Sequence, residues 1–323
     1  MSLYEKIFDS SIKAKATRLA FGEKLKELGS KNEQIVVLEG DLSKSTRTDL
    51  FAAECPDRFF NMGIAEANMI GVAAGFARAG KVPFAASFGC FLTGRFDQIR
   101  MSVSFTGAAV NLIGSHAGVG IGEDGHSQMA LEDVTLMRSL PNVRVFQPSH
   151  ERETHSFMEW TVKDPNPSYM RVTRQGLPQV KDTGATFKEG HWEFLHESKE
   201  ENVPCIVATG GVLEPSVKAA DELIASGAYP DVSIVNASWL NPVSKENIDR
   251  ILALKPSFVV SVEDHYKMGG LGGILAEMLS ERPSSPALKR IGVTEFGQSG
   301  SPSDNYENYG FTGPGIAKQI TGA

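Results

Sequence analysis

Short apolar runs alternate along this chain with longer stretches whose apolar residues recur at helical spacing. Ile35-Val36-Val37-Leu38, Val82 to Phe88, Ala109 to Ile113, Val143 to Phe146 and Ser168 to Val172 have the length and β-branched content of buried strands. Helices are predicted between them at 16–29, from Glu66 to Gly80, and at 95–105, 131–140 and 151–163. The composition shifts at about 175–202, where Gly176, Pro178, Gly184 and a charged stretch read as a linker with some strand content. A second series follows: strand Cys205–Ala208, helix Glu214–Ser226, strand Val232–Val235, helix Lys245–Leu254, strand Phe258–Val262 and helix Ile274–Ser280. Alternation of this kind predicts an α/β chain of two domains, each a mostly parallel sheet flanked by helices.

One predicted helix is unusual. After the irregular lead-in Asn61-Met62-Gly63-Ile64-Ala65, a single carboxylate, Glu66, opens a helix of small residues. Gly71, Ala74 and Gly75 would let another backbone approach closely. An acid at the mouth of so apolar a helix is either buried or lines a cleft, where it needs a partner. It could equally complement the positive helix N-terminus.

Composition narrows the field. The 323 residues carry a formal charge of −7 with no long Lys/Arg run, which argues against nucleic acid or an anionic membrane as a partner. Cys55, Cys90 and Cys205 are far apart, match no metal spacing and read as core residues of a reducing compartment. The polar start gives no signal peptide, and Gly, Pro or charge interrupts every apolar run before it reaches membrane length, so a cytoplasmic protein is expected.

The candidate chemistry lies in loops that follow strands of the first half and should gather at one sheet edge. These loops supply Asp41 and Ser45; Phe88 and Phe91; and His116, Glu123, Asp124, His126 and Gln128, with Arg174 closing a further strand. Taken singly, each is unremarkable: the phenylalanines are core candidates, the histidines loop residues, the arginine a surface ion-pair partner. Their coincidence at strand C-termini points to a polar cleft. Thr209-Gly210-Gly211 lacks the full glycine pattern of a dinucleotide loop.

At these residues the chain resembles the C-terminal portion of transketolase, a thiamine-diphosphate enzyme. The resemblance is carried by Gly40-Asp41-Leu42-Ser43-Lys44-Ser45-Thr46, Ile64-Ala65-Glu66-Ala67-Asn68-Met69, Phe96-Asp97-Gln98-Ile99-Arg100-Met101, the run Gly122 to Asp133, and Val262-Glu263-Asp264-His265. It implies a pyrimidine-binding domain at 1–180, a linker at 181–195 and a transketolase C-terminal domain at 196–323. It implies that Glu66 hydrogen-bonds N1′ of the cofactor's aminopyrimidine, for which it must donate or share a proton. Phe88 and Phe91 would form the platform under that ring, with Asp41 on the cofactor side. Arg18, Ser45, His116 and Arg174 would hold a substrate phosphate, Asp124 a substrate hydroxyl, and Gln128 the sugar. Glu66, Gln128 and His126 would be the catalytic residues; a tyrosine common in microbial relatives falls at Gly94, and His126 replaces the usual proline.

The Gly-Asp-Gly diphosphate site of the family finds no match here. The resemblance therefore implies a split transketolase whose partner, an N-terminal subunit, holds the diphosphate and Mg²⁺ or Ca²⁺, in an α2β2 assembly that shares the cofactor. This chain itself would hold no metal. His126-Ser127-Gln128 instead favours the β subunit of a 2-oxoacid dehydrogenase E1, or marks a split transketolase acting on a branched or sulfonated sugar. A non-catalytic stabilising subunit is the reading from outside enzymology.

Overall fold

The computed structural model describes every residue except Thr183, Ala185 and Ala323. Two parallel-dominated sheets organise the chain. The first has seven strands in the order Trp239–Asn241, Arg144–Phe146, Ser168–Arg171, Asn111–Ser115, Val82–Phe88, Ile35–Glu39 and Phe59–Asn61. All its pairings are parallel except that of Trp239–Asn241. The second has five strands in the order Glu193–His196, Ser233–Asn236, Cys205–Ala208, Phe258–Tyr266 and Ala287–Val293, with only Glu193–His196 antiparallel. Every residue of Ile35–Glu39 and of Cys205–Ala208 is buried, as expected of strands covered on both faces. The predicted fold class holds.

The predicted helices form at Thr17–Lys31, Glu66–Arg78, Asp133–Arg138, Glu151–Thr161, Leu213–Ala225, Lys245–Ala253 and Leu271–Ser280. The stretch predicted at 95–105 is one α turn, Phe96–Gln98, running into π-helical Ile99–Ser104. Elements that the apolar pattern does not announce include Leu3–Ile7, Phe59–Asn61, Trp239–Asn241, Ala287–Val293, Pro302–Asn308 and Gly313–Thr321. Ala287–Val293 is an edge strand whose residues are mostly exposed or half-buried, so it lacks an apolar run.

Two segments cross between the halves. Leu3–Ile7 docks on Leu213–Ala225, where Asp221 accepts the Leu3 and Tyr4 amide hydrogens at 2.6 and 3.0 Å. Trp239–Asn241 completes the first sheet, and Trp239 packs edge-on to Phe146, Phe157 and Trp160 at centroid distances of 5.2, 5.6 and 5.0 Å. The expected linker at 181–195 contains Thr183 and Ala185, which lie outside the described residues. Its end already belongs to strand Glu193–His196. Among the described residues no helix is long and apolar enough to cross a membrane.

Candidate active site

Parallel order brings the C-terminal ends of Ile35–Glu39, Val82–Phe88, Asn111–Ser115 and Ser168–Arg171 to one edge, and the candidate residues follow directly from them. Glu66 is 5% exposed at the start of its helix, and its Oε1 accepts a hydrogen bond from Ser87 at 3.1 Å. Among the described residues its Oε2 has no hydrogen-bond partner. Gly40 lies against this pair. A Cβ there would sit 3.2 Å from Glu66 Oε1 and 3.3 Å from Ser87 Oγ, so a side chain would crowd the carboxylate. Pattern reasoning missed Ser87; it stands beside Phe88 on the same strand, within reach of any group at that strand end.

Phe91, Phe88 and His116 form a run of rings. Phe88 and Phe91 are stacked at 5.6 Å with planes 9° apart, and Phe88 and His116 at 4.1 Å. Phe88 is buried and Phe91 half-buried, so Phe91 presents the more accessible face.

His116 joins this run to a cationic cluster. Its Nε2 lies 3.4 Å from the Arg18 guanidinium, which donates to the Ser45 carbonyl at 2.6 Å. Its Nδ1 lies 2.8 Å from Ser115 Oγ. Burial, with the charges of Arg18 and Arg174 behind it, pushes the imidazole down to about 3, so it is neutral at physiological pH. Arg18 is itself lowered by burial and by the charges of Arg174 and Arg47. Like charges held together in this way are relieved by an anion. Arg47, absent from the sequence-based candidates, has its backbone at φ +69° and a buried Nε without a hydrogen-bond partner. Arg174 donates to the Ile121 carbonyl and to Glu123 at 3.1 Å.

The other candidates stand apart from this cluster. Asp41 is exposed and accepts from Asn61 Nδ2 at 3.0 Å. Asp124 is exposed, and Gln128 is half-buried with its carbonyl facing Cys90 Sγ at 3.2 Å. His126 is turned onto the second half: its Nδ1 accepts the Gly297 amide hydrogen at 3.1 Å and its ring packs 4.4 Å from Phe296. That contact packs His126 against the second half of the chain.

Glu39 is a further buried acid here. Burial raises it to about 7, against hydrogen bonds from the Leu42 amide at 2.6 Å and from Thr46 that favour the charged form. One half-satisfied buried carboxylate beside an aromatic run fits an aminopyrimidine that needs an acid partner and a flat apolar surface. The cation cluster fits a phosphate.

Comparison with known proteins places both halves of the chain. Residues 13–179 match the family model of the transketolase pyrimidine binding domain, and 190–316 that of the transketolase C-terminal domain. A putative transketolase C-terminal section of Methanocaldococcus jannaschii is 38% identical over 310 residues, covering 95% of each chain. Human transketolase is 34% identical over 313 residues, 95% of this chain but 49% of its own, so the chain spans about half the length of such full-length relatives. A solved structure described as a split gene transketolase, inactive beta4 tetramer, superposes with a TM-score of 0.84 at 38% identity, covering 95% of this chain and 98% of that one. Transketolase of Campylobacter jejuni, at 23% identity and a TM-score of 0.83, shares the fold over all of this chain and 49% of its own. Matched in order by both domain models, and along nearly the full length of a relative 38% identical to it, the chain belongs to the transketolase family.

Proposed function

We propose that this chain is the C-terminal subunit of a split, thiamine-diphosphate-dependent transketolase. It moves a two-carbon ketol unit from a ketose phosphate to an aldose phosphate in the cytoplasm, as in the pentose phosphate pathway. The observation that carries the reading is Glu66, buried, fixed through one oxygen by Ser87 and without a hydrogen-bond partner at the other among the described residues, beside the Phe88–Phe91 stack. The bound cofactor supplies a nucleophilic carbon able to accept and release the ketol unit. Glu66 holds a proton at the pyrimidine nitrogen, Phe91 packs against the ring, and Ser87 keeps the carboxylate from swinging away. Arg18, His116, Arg174 and the Ser45 region bind the sugar's phosphate, with Asp124 and Gln128 on its hydroxyls. The partner subunit holds the diphosphate and its Mg²⁺ or Ca²⁺ in an α2β2 assembly. The similarity to a split-gene relative described as an inactive tetramer supports dependence on such a partner. The open side of the Glu66–Arg78 helix supports subunit packing there: Gly75 has nothing within 4 Å of a Cβ position.

The deciding experiment is reconstitution with an N-terminal-type subunit, thiamine diphosphate and Mg²⁺. Ketol transfer is expected from the complex and none from the chain alone. Turnover by the chain alone, or decarboxylation of pyruvate or a branched 2-oxoacid by the complex without ketol transfer, would overturn the reading. The second outcome would point to the E1 β alternative. Full activity in a Glu66→Gln complex would instead make the chain a non-catalytic subunit.

A further inference from the structure

Far along the chain from Glu66, His150, Glu153 and Glu193 converge between the two halves. His150 caps the helix Glu151–Thr161, which also carries Glu153, while Glu193 opens the strand Glu193–His196 of the second sheet. His150 is 1% exposed, yet neither of its ring nitrogens makes a hydrogen bond among the described residues. Its Nε2 faces one oxygen of each glutamate at the same distance, 3.7 Å. A charge-assisted hydrogen bond would draw these oxygens in to about 2.8 Å. Ligands of one tetrahedral divalent ion, each about 2.1 Å from it, stand about 3.4 Å apart. The observed spacing is nearer the second arrangement, and one donor atom from each of the three residues lies within 4.8 Å of the others.

We propose that His150, Glu153 and Glu193 bind a divalent metal ion of the Zn²⁺ class, which clamps the first sheet's helix to the second sheet. The donors suit it: a neutral imidazole and two carboxylates balance a charge of +2. Glu153 is already oriented, its Oε2 accepting from the Ser149 amide at 2.8 Å and its Oε1 from Asn236 Nδ2 at 2.9 Å. Outer partners of this kind are what hold ligating carboxylates in place. The three side chains line a cavity of about 100 Å³, and a fourth position there takes water. Among the described residues Arg152 stands 3.6 Å from Glu193, on the oxygen that His150 Nε2 does not face, and is engaged by the Val180 and Lys181 carbonyls, while Lys188 and His191 line the same cavity.

The test uses the full chain stripped with a chelator and titrated with Zn²⁺ by calorimetry, with metal content and melting temperature read in parallel. The wild type is expected to bind one ion per chain and to melt at a higher temperature when loaded. His150→Gln and Glu193→Gln are expected to bind at least about 100-fold more weakly and to lose the thermal shift. Glu193→Gln, changed at the rim of the cluster, carries the test if His150→Gln does not fold. No uptake by the wild type, or equal affinity in wild type and Glu193→Gln, overturns the proposal. The readout is independent of transketolase activity, so it stands or falls apart from the function proposed above.

Discussion

Asp264 Oδ1 accepts the Val119 amide hydrogen at 2.8 Å, joining the second sheet to the Gly-rich loop that ends in Gln128. The Tyr306 hydroxyl donates to the other oxygen at 3.1 Å. Gly118 makes room for this carboxylate: it adopts φ +85°, and a Cβ there would fall 2.2 Å from Asp264 Oδ2. A motif recognised in the sequence as a family signature thus has a mechanical role, fixing the loop from the far domain. Asp264→Ala leaves the buried Val119 amide unpaired and removes the acceptor of the Tyr306 hydroxyl, which keeps only the hydrogen bond it accepts from Gln175 Nε2, and is expected to cost about 2–3 kcal/mol in urea unfolding. Gly118→Ala should destabilise comparably. Stability unchanged in both variants would refute this role.

A second buried pair lies close by. Arg171 Nε donates to Asp133 Oδ2 at 2.9 Å, both side chains almost wholly buried, while Arg171 Nη2 donates to the Ala130 and Asp264 carbonyls at 2.8 Å each. Tyr169 donates to the same carboxylate at 2.6 Å. Removing one member of such a pair strands the other charge, so Arg171→Met should cost about 3–5 kcal/mol. The double variant Arg171→Met/Asp133→Leu should lose less than the sum of the singles. Denaturant titrations of the three variants measure this coupling, and strict additivity would contradict it.

Two carboxyls predict the pH dependence of stability. Burial raises both Glu39 and Glu263 to about 7 from 4.5. Between those values each of these carboxyls binds more proton in the folded than in the unfolded state, so its own contribution to stability falls as pH rises, opposed below 6.5 by His116 and His265, which burial lowers to about 3 and about 4. The contribution is complete below 4.5 and is lost as pH passes 7, amounting to about 3 kcal/mol for each carboxyl. Glu39→Gln should flatten the melting temperature between about pH 5 and 7 relative to wild type. An unchanged profile would show that Glu39 does not contribute.

The crowding of Arg174 and Arg47 on Arg18, beside neutral His116, predicts anion binding by the chain. Inorganic phosphate should raise the melting temperature of the wild type, and the shift should shrink in Arg18→Ala and in Arg47→Ala. In the reconstituted complex, Arg18→Ala should raise KM for a phosphorylated acceptor about 10-fold or more, with little change for an unphosphorylated one. Equal losses on both acceptors would assign Arg18 a structural role instead.

If the proposed function holds, Glu66→Gln in the complex should lower kcat by about 100-fold or more, since the positioned proton is lost. Ser87→Ala should have a smaller effect in the same direction, because it only releases one oxygen of Glu66. Steady-state ketol transfer measures both, and a Ser87→Ala loss larger than that of Glu66→Gln would reverse the assigned order.

By itself the sequence determined the two-domain α/β alternation, the strand ends where the candidate residues gather, and Glu66 as an acid at the mouth of a small-residue helix. Apolar periodicity and strand-to-loop order are local properties, and they survive in the one-dimensional pattern. Only the tertiary structure decided what these residues face. Ser87 became the partner of Glu66, and Arg47 joined Arg18 and Arg174, because parallel strands bring remote loops to one edge. His126, a candidate from its place in the Gly122–Asp133 run, meets the Gly297 amide some 170 residues later. Edge strand Ala287–Val293 and helix Leu3–Ile7 were illegible because contacts distant in sequence hold them, with no strong apolar period of their own. Burial and charge act through space, so the neutral His116 and the raised Glu39 exist only once the chain has closed around them.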